Sequence, residues 1–231
     1  MQEDIEFSSA GRILAATICT PAQHADGGLQ RGIVFVHGLG SDRRGYAEYG
    51  ERAAAHLGAR CLAVDLSGHG SSPGEAGDFS PAQHLQDVLA AWDELTGRYH
   101  ADPGRIGVCG SSYGGYLAAL AVPHRTVARL LLRAPTIVAD DDVARPLRLR
   151  SGHRDPGSAP VLLGGLNQFH SPALVVESEN DEVIPHETVE AYLNALPAAG
   201  HAVIANATHA LSRPEWREVF IQQLLSFFAA L

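Results

Sequence analysis

Residues 105–122 read RIGVCGSSYGGYLAALAV, and the fold can be read outward from this stretch. Arg105–Cys109 is a short apolar run closed by a glycine, the pattern of a buried strand, and Tyr113–Val122 continues as a helical run of small apolar residues. Between them Gly110-Ser111-Ser112-Tyr113-Gly114 fits G-x-S-x-G. A serine between such a strand and helix occupies a sharp, strained turn, and glycines two residues to either side let backbone and helix approach closely. The turn lifts the Ser112 hydroxyl out of the sheet and aims the following amide at an oxygen that gains charge during attack. The spacing selects Ser112 over Ser111, whose neighbours at minus and plus two are Cys109 and Tyr113.

The same alternation of strand and helix runs along the chain. Ile5–Phe7 and Arg12–Thr20 read as a hairpin around Ser8–Gly11. Gly32–His37 (GIVFVH) and Cys61–Asp65 (CLAVD) read as buried strands separated by a helix at Tyr46–Leu57. Pro81–Tyr99 is an amphipathic helix with Leu85, Val88, Leu89, Trp92 and Leu95 on one stripe. Further strands are expected at Ala128–Arg133, Ala173–Ser178 and Ala202–Asn206, and further helices at His186–Leu196 and Pro214–Leu231. This order implies one α/β domain over residues 1–231, with a mostly parallel sheet flanked by helices and ligands beyond the strands' carboxyl ends. Residues 138–171 break the rhythm: they are irregular, and a long insertion in a compact domain is commonly a lid or disordered.

Composition narrows the chemistry. All 17 Lys+Arg residues are arginine, which excludes lysine Schiff bases, a Ser-Lys dyad and a P-loop lysine. The net charge of −9 opposes binding to nucleic acid or to an anionic membrane surface. Cys19, Cys61 and Cys109 lie in apolar runs and cannot all pair, which fits a reducing compartment. The acidic start MQEDIEF lacks the basic and apolar regions of a signal peptide, and no apolar stretch approaches the 18 residues of a membrane span. A cytoplasmic location is the expectation.

Ser112 and its surroundings resemble the nucleophile elbow of the α/β-hydrolase superfamily, and the resemblance extends from Gly32 to the C-terminus. Gly-Ser-Ser-Tyr-Gly-Gly-Tyr at 110–116 is also similar to the elbow of prolyl-oligopeptidase-type peptidases. The family implies a triad in the order serine, acid, histidine. Pro172-Ala-Leu-Val-Val-Glu-Ser-Glu-Asn-Asp181-Glu-Val-Ile-Pro185 resembles the family's strand-and-turn pattern and makes Asp181 the acid, with Ser178 standing where glycine is usual. Glu177, Glu179 and Glu182 compete without holding the motif position. His209, after the last strand, becomes the base; Asn206 stands where the family often has Gly-x-x-His. His37-Gly38-Leu39-Gly40 resembles the family's HGxG loop, which implies that the amides of Leu39 and Tyr113 form an oxyanion hole and that His37 packs structurally. Gly68-His69-Gly70-Ser71-Ser72 resembles a structural turn of the family.

Other motifs are weaker. His186-Glu187-Thr188-Val189-Glu190 ends in Glu where a zinc motif needs His, and no G-x-G-x-x-G occurs, so neither a metal nor a cofactor is expected. Arg145, Arg148, Arg150, His153 and Arg154 cluster in the insertion and either answer the acidic run Asp140–Asp142 or read a substrate anion. Cys109 lies in the strand, outside the nucleophile register. The expectation is a serine hydrolase for small or short-chain carboxylic esters. The alternatives are a peptidase, amidase or thioesterase on the same triad, and a ligand-sensing protein on this fold with little turnover.

Overall fold

The computed structural model describes residues 1–22, 30–152 and 154–231. His153 therefore lies outside the described residues. Among the described residues eight strands build one sheet: β1 (Gln2–Ser9), β2 (Arg12–Cys19), β3 (Gln30–Val36), β4 (Arg60–Val64), β5 (Ala101–Ser111), β6 (Arg129–Arg133), β7 (Ala173–Ser178) and β8 (Ala199–Ile204). Their order across the sheet is β1-β2-β4-β3-β5-β6-β7-β8. The hairpin β1–β2 joins β4 antiparallel, and every pairing from β4 to β8 is parallel. The expected α/β architecture is the one observed.

Among the described residues six α-helices cover both faces: α1 (Arg44–Leu57), α2 (Pro81–Gly97), α3 (Tyr113–Ala121), α4 (Pro160–Leu166), α5 (His186–Ala195) and α6 (Pro214–Phe228). Alternate residues of each central strand point to opposite faces. Val34, Leu62, Val108, Leu130 and Val175 pack with α2, α3 and α5, while Ile33, Phe35, Ala63, Leu131 and Val176 pack with α1 and α6. Two buried faces explain why these strands read as unbroken apolar runs.

Helix α2 begins where the sequence says it should. Ser80 Oγ accepts from the Gln83 amide at 3.2 Å, the Gln83 side chain accepts from the Ser80 amide at 2.9 Å, and Pro81 fills the first helical position. This is a complete capping box. Ser80→Ala is expected to lower stability by about 1 kcal/mol, a fall in Tm of about 2–4 °C in a chain of this size, read by thermal unfolding.

Differences from the expected elements fall at ends and in the insertion. The strand expected at Ala202–Asn206 runs instead from Ala199 to Ile204, so His201 lies within it and Asn206 in the turn beyond. Residues 138–171 hold three single 3-10 turns and the short helix α4. Pro160 starts that helix without needing a donor, and Gly164 and Gly165 dilute its helical signature, so its sequence, PVLLGGL, gives little sign of it.

Candidate active site

The carboxyl ends of β3, β5, β7 and β8 bring the sequence-predicted residues together. Ser112 caps α3 with φ 54° and ψ −119°, a conformation that a non-glycine residue holds only under constraint from its surroundings. The constraint is visible on both sides. A Cβ on Gly110 would lie 2.1 Å from the Gly114 carbonyl oxygen, and one on Gly114 would lie 2.2 Å from the Val36 carbonyl oxygen. Only glycine lets α3 press so closely on β5 and β3. The Ser112 amide donates to the Arg133 carbonyl at 2.9 Å, which ties the turn to β6.

His209 and Asp181 meet as a pair. The His209 ring contacts the two Asp181 oxygens through Nδ1 at 3.0 and 2.8 Å. Because a carboxylate only accepts, Nδ1 carries the proton and Nε2 is left as the basic nitrogen. Asp181 also accepts from the amides of Val183 and Ile184 at 2.9 and 2.8 Å. Burial alone would raise the Asp181 pKa, but the hydrogen bonds from His209, Ile184 and Val183 outweigh it and hold the carboxyl below the usual range.

The competing acids hold the same loop by its backbone. Glu179 accepts from the Asn206 amide at 2.6 Å, and Glu182 from the His209 amide at 3.1 Å. Glu177 instead faces His186 and His201 at 2.7 and 3.0 Å. Both departures from the family pattern are accommodated. Ser178 has no positive φ, so its side chain brings no backbone strain. Asn206 has φ 58°, a region that asparagine enters more readily than most residues.

Ser112 and His209 line one cavity of about 360 Å³ with Gly38, Leu39, Tyr46 and Arg133. No hydrogen bond joins the Ser112 hydroxyl to His209 in the structure, a contact that in hydrolases commonly tightens on substrate binding. Gly38 lies against Ser112, and a Cβ there would be 3.4 Å from that of Ser112. The amides of Leu39 and Tyr113 donate to no group among the described residues.

The neighbouring histidines are structural. His37 is fully buried; its Nε2 accepts from the Leu66 amide at 3.1 Å, and its Nδ1 donates to the Gly38 carbonyl at 2.8 Å. Burial pushes its pKa down to about 4. His69 packs between the rings of His37 and His84. Cys109 is fully buried, and burial pushes its thiol pKa up, so it is no nucleophile at neutral pH. Among the described residues no group of three metal-ligating side chains converges, and no helix is long and apolar enough to cross a membrane.

Residues 33–219 match the family model described as alpha/beta hydrolase family. The chain belongs to this family. The palmitoyl-protein thioesterase ABHD10, mitochondrial, of Homo sapiens is 37% identical over 105 residues, 44% of this hydrolase and 32% of the relative. Its counterpart from Pongo abelii is 37% identical over 107 residues, 45% and 33% of the two chains. This hydrolase therefore spans about a third of the length of the curated relatives it matches. Among solved structures, Est1E from Butyrivibrio proteoclasticus, bound to ferulic acid, superposes with a TM-score of 0.78 at 18% identity, covering 96% and 97% of the two chains. The enol-lactonase from Burkholderia xenovorans LB400 gives 0.73 at 18%, covering 96% and 99%. Likeness at that identity shows the fold alone.

Sequence reasoning missed Arg133. It ends the strand RLLLR, is 7% exposed, and donates through Nη1 to the His209 carbonyl at 2.7 Å and the Ser178 hydroxyl at 3.5 Å. A charge ending an apolar strand at the sheet's ligand-binding rim was the available signal. Two of the four insertion arginines answer acids: Arg145 pairs with Asp142 at 3.5 Å, and Arg148 pairs with Asp78. Arg150 lies over the Tyr113 ring at 5.9 Å.

Proposed function

We propose that this hydrolase cleaves carboxylic esters through an acyl-enzyme. The observation that carries the reading is the strained Ser112 turn sharing one cavity with His209, whose ring is held by Asp181. Ser112 Oγ attacks the substrate carbonyl as His209 Nε2 takes its proton. The amides of Leu39 and Tyr113 receive the oxyanion, a contribution of about 3–4 kcal/mol per donor in hydrolases of this logic. Asp181 fixes the imidazole tautomer and stabilises the imidazolium. As the tetrahedral intermediate collapses, the carbon–oxygen bond to the alcohol breaks and His209 protonates the departing alcohol. Water, deprotonated by the same imidazole, then cleaves the acyl-serine ester and returns the proton to Ser112.

A thioester is the second reading, favoured by the identity shared with the palmitoyl-protein thioesterases. The triad and oxyanion hole serve both, and only the leaving atom differs. The three unpaired, buried thiols favour a reducing compartment such as the cytoplasm. The substrate is a small molecule, and neither nucleic acid nor a metal or cofactor is required by this chemistry.

Labelling with a fluorophosphonate probe tests the reading. Wild type is expected to label and Ser112→Ala to stay unlabelled. An unlabelled wild type overturns the hydrolase assignment; a label that persists in Ser112→Ala moves the nucleophile elsewhere. Matched oxygen and thiol esters of one short acyl group then rank the two readings by kcat/KM.

A further inference from the structure

The cavity beside Ser112 is electrostatically at odds with the rest of the chain. The protein carries nine more acids than bases, yet the cavity is lined by Arg133 and Arg217 and by no aspartate or glutamate. Elsewhere arginines find carboxylates: Arg12 pairs with Asp87, Arg43 with Asp65, Arg52 with Glu218 and Arg125 with Asp93. Arg133 is the more buried of the cavity pair and has no acidic partner among the described residues. A guanidinium removed from water without a counter-ion is expensive to keep charged in place.

The bonding of Arg133 shows which part of it is spare. Nη1 is occupied by the His209 carbonyl and the Ser178 hydroxyl. Among the described residues Nε and Nη2 donate to no group, yet they are not among the sealed polar atoms without partners, which are His69 Nε2, Trp92 Nε1, Tyr116 Oη and Gln223 Oε1. The Nε–Nη2 edge is therefore neither bonded nor sealed, on a residue that lines the cavity. That edge presents two parallel N–H bonds, the fork that matches the two oxygens of a carboxylate. Arg217, on the first turn of α6, spends Nη1 on the carbonyls of Leu211 and Ser212 at 3.2 and 2.9 Å, and also lacks an acidic partner among the described residues. It adds a second positive charge to the cavity wall.

We propose that Arg133, seconded by Arg217, forms a carboxylate subsite beside the nucleophile, so that the preferred substrates are esters carrying a free carboxylate close to the scissile bond. The inference rests on the hydrolase reading above and narrows its substrate class. The anion supplies the counter-ion that the buried guanidinium lacks, and the contact positions the reacting carbonyl next to Ser112. The bond from Arg133 to the His209 carbonyl also makes it a positioning residue for the base. A positioning effect alone would alter every ester alike; a subsite alters the difference between anionic and neutral ones.

The test compares p-nitrophenyl hemisuccinate with its neutral methyl ester, and 4-carboxyphenyl butyrate with 4-carbamoylphenyl butyrate, at low ionic strength. The first pair places the carboxylate on the acyl side, the second on the leaving-group side. At least one pair is expected to favour the anion by about 10-fold or more in kcat/KM, the scale of a charge-assisted hydrogen bond. That preference should shrink to within about 3-fold in Arg133→Gln and fall in part in Arg217→Gln, which lies nearer solvent and safeguards the test against misfolding of the first variant. Succinate should also raise the Tm of wild type more than that of Arg217→Gln. Neutral esters hydrolysed with no anionic preference in either pair, or a preference unchanged in both variants, would overturn the subsite while leaving the hydrolase reading in place. Absence of hydrolysis and of Ser112 labelling counts against the hydrolase reading, and the succinate shift then decides the subsite by itself: no shift removes it.

Discussion

Asp181→Asn is expected to lower kcat about 10⁴-fold, about 5.5 kcal/mol of transition-state stabilisation, with the fold retained. Two facts about the carboxylate separate these outcomes. An asparagine oxygen can still accept from the Val183 and Ile184 amides, so the turn keeps its bonds. The catalytic loss comes from the other side of the group. An amide NH₂ facing His209 Nδ1 favours the tautomer with the proton on Nε2, where a base is needed. Steady-state kinetics on a p-nitrophenyl ester, beside a thermal melt, checks both halves. A kcat within about 10-fold of wild type would remove Asp181 from the triad, and Glu182, which accepts from the His209 amide, would become the acid to examine.

The second large effect is acid destabilisation through histidines outside the chemistry. His37 and His84 are fully buried, and burial lowers the pKa of each to about 4. In the unfolded chain each titrates near 6.5. As pH falls below that value the unfolded state binds protons that the folded state refuses, so stability falls until the folded histidines themselves titrate near 4. The loss accumulates between about pH 6.5 and 4, on the order of 3 kcal/mol for each histidine. The bonding gives the reason: His37 Nε2 is already an acceptor for the Leu66 amide, and a proton there would set two donors face to face. His84 donates from Nε2 to the Ser67 carbonyl at 2.9 Å and receives the Tyr113 hydroxyl on Nδ1 at 3.0 Å. His186 works in the opposite direction, raised by Glu177, but it is exposed and its effect is small. Urea unfolding at pH 7.5, 6 and 5 should show the decline, and His37→Gln should flatten it. A flat profile in wild type would mean that these rings titrate normally.

Most of the candidate site was readable because its signals are local. Gly110, Ser112 and Gly114 announce a turn within five residues, Asp181 follows a strand that its own apolar run marks, and His209 stands 28 residues further on in the family's chain order. What escaped depends on register and long-range packing. Arg133 stands opposite Ser111 only once β5 and β6 pair in parallel. Arg148 meets Asp78 across 70 residues of chain, so its cluster could equally be read as a substrate site. The end of the last strand was misjudged for a different reason: β8 lies at the sheet's edge, mostly exposed, and lacks the apolar run that marks the central strands.

The opposite edge has its own consequence. β1 is the outer strand there, and Glu3, Asp4 and Glu6 along it are exposed. An unpaired edge is a template on which another chain can continue the sheet, and like charges in a row are a natural deterrent. Two copies laid edge to edge would set these carboxylates against their own images. The rim of like charge therefore guards this edge against a second copy of the same chain, and Glu3→Gln with Glu6→Gln should favour association through it.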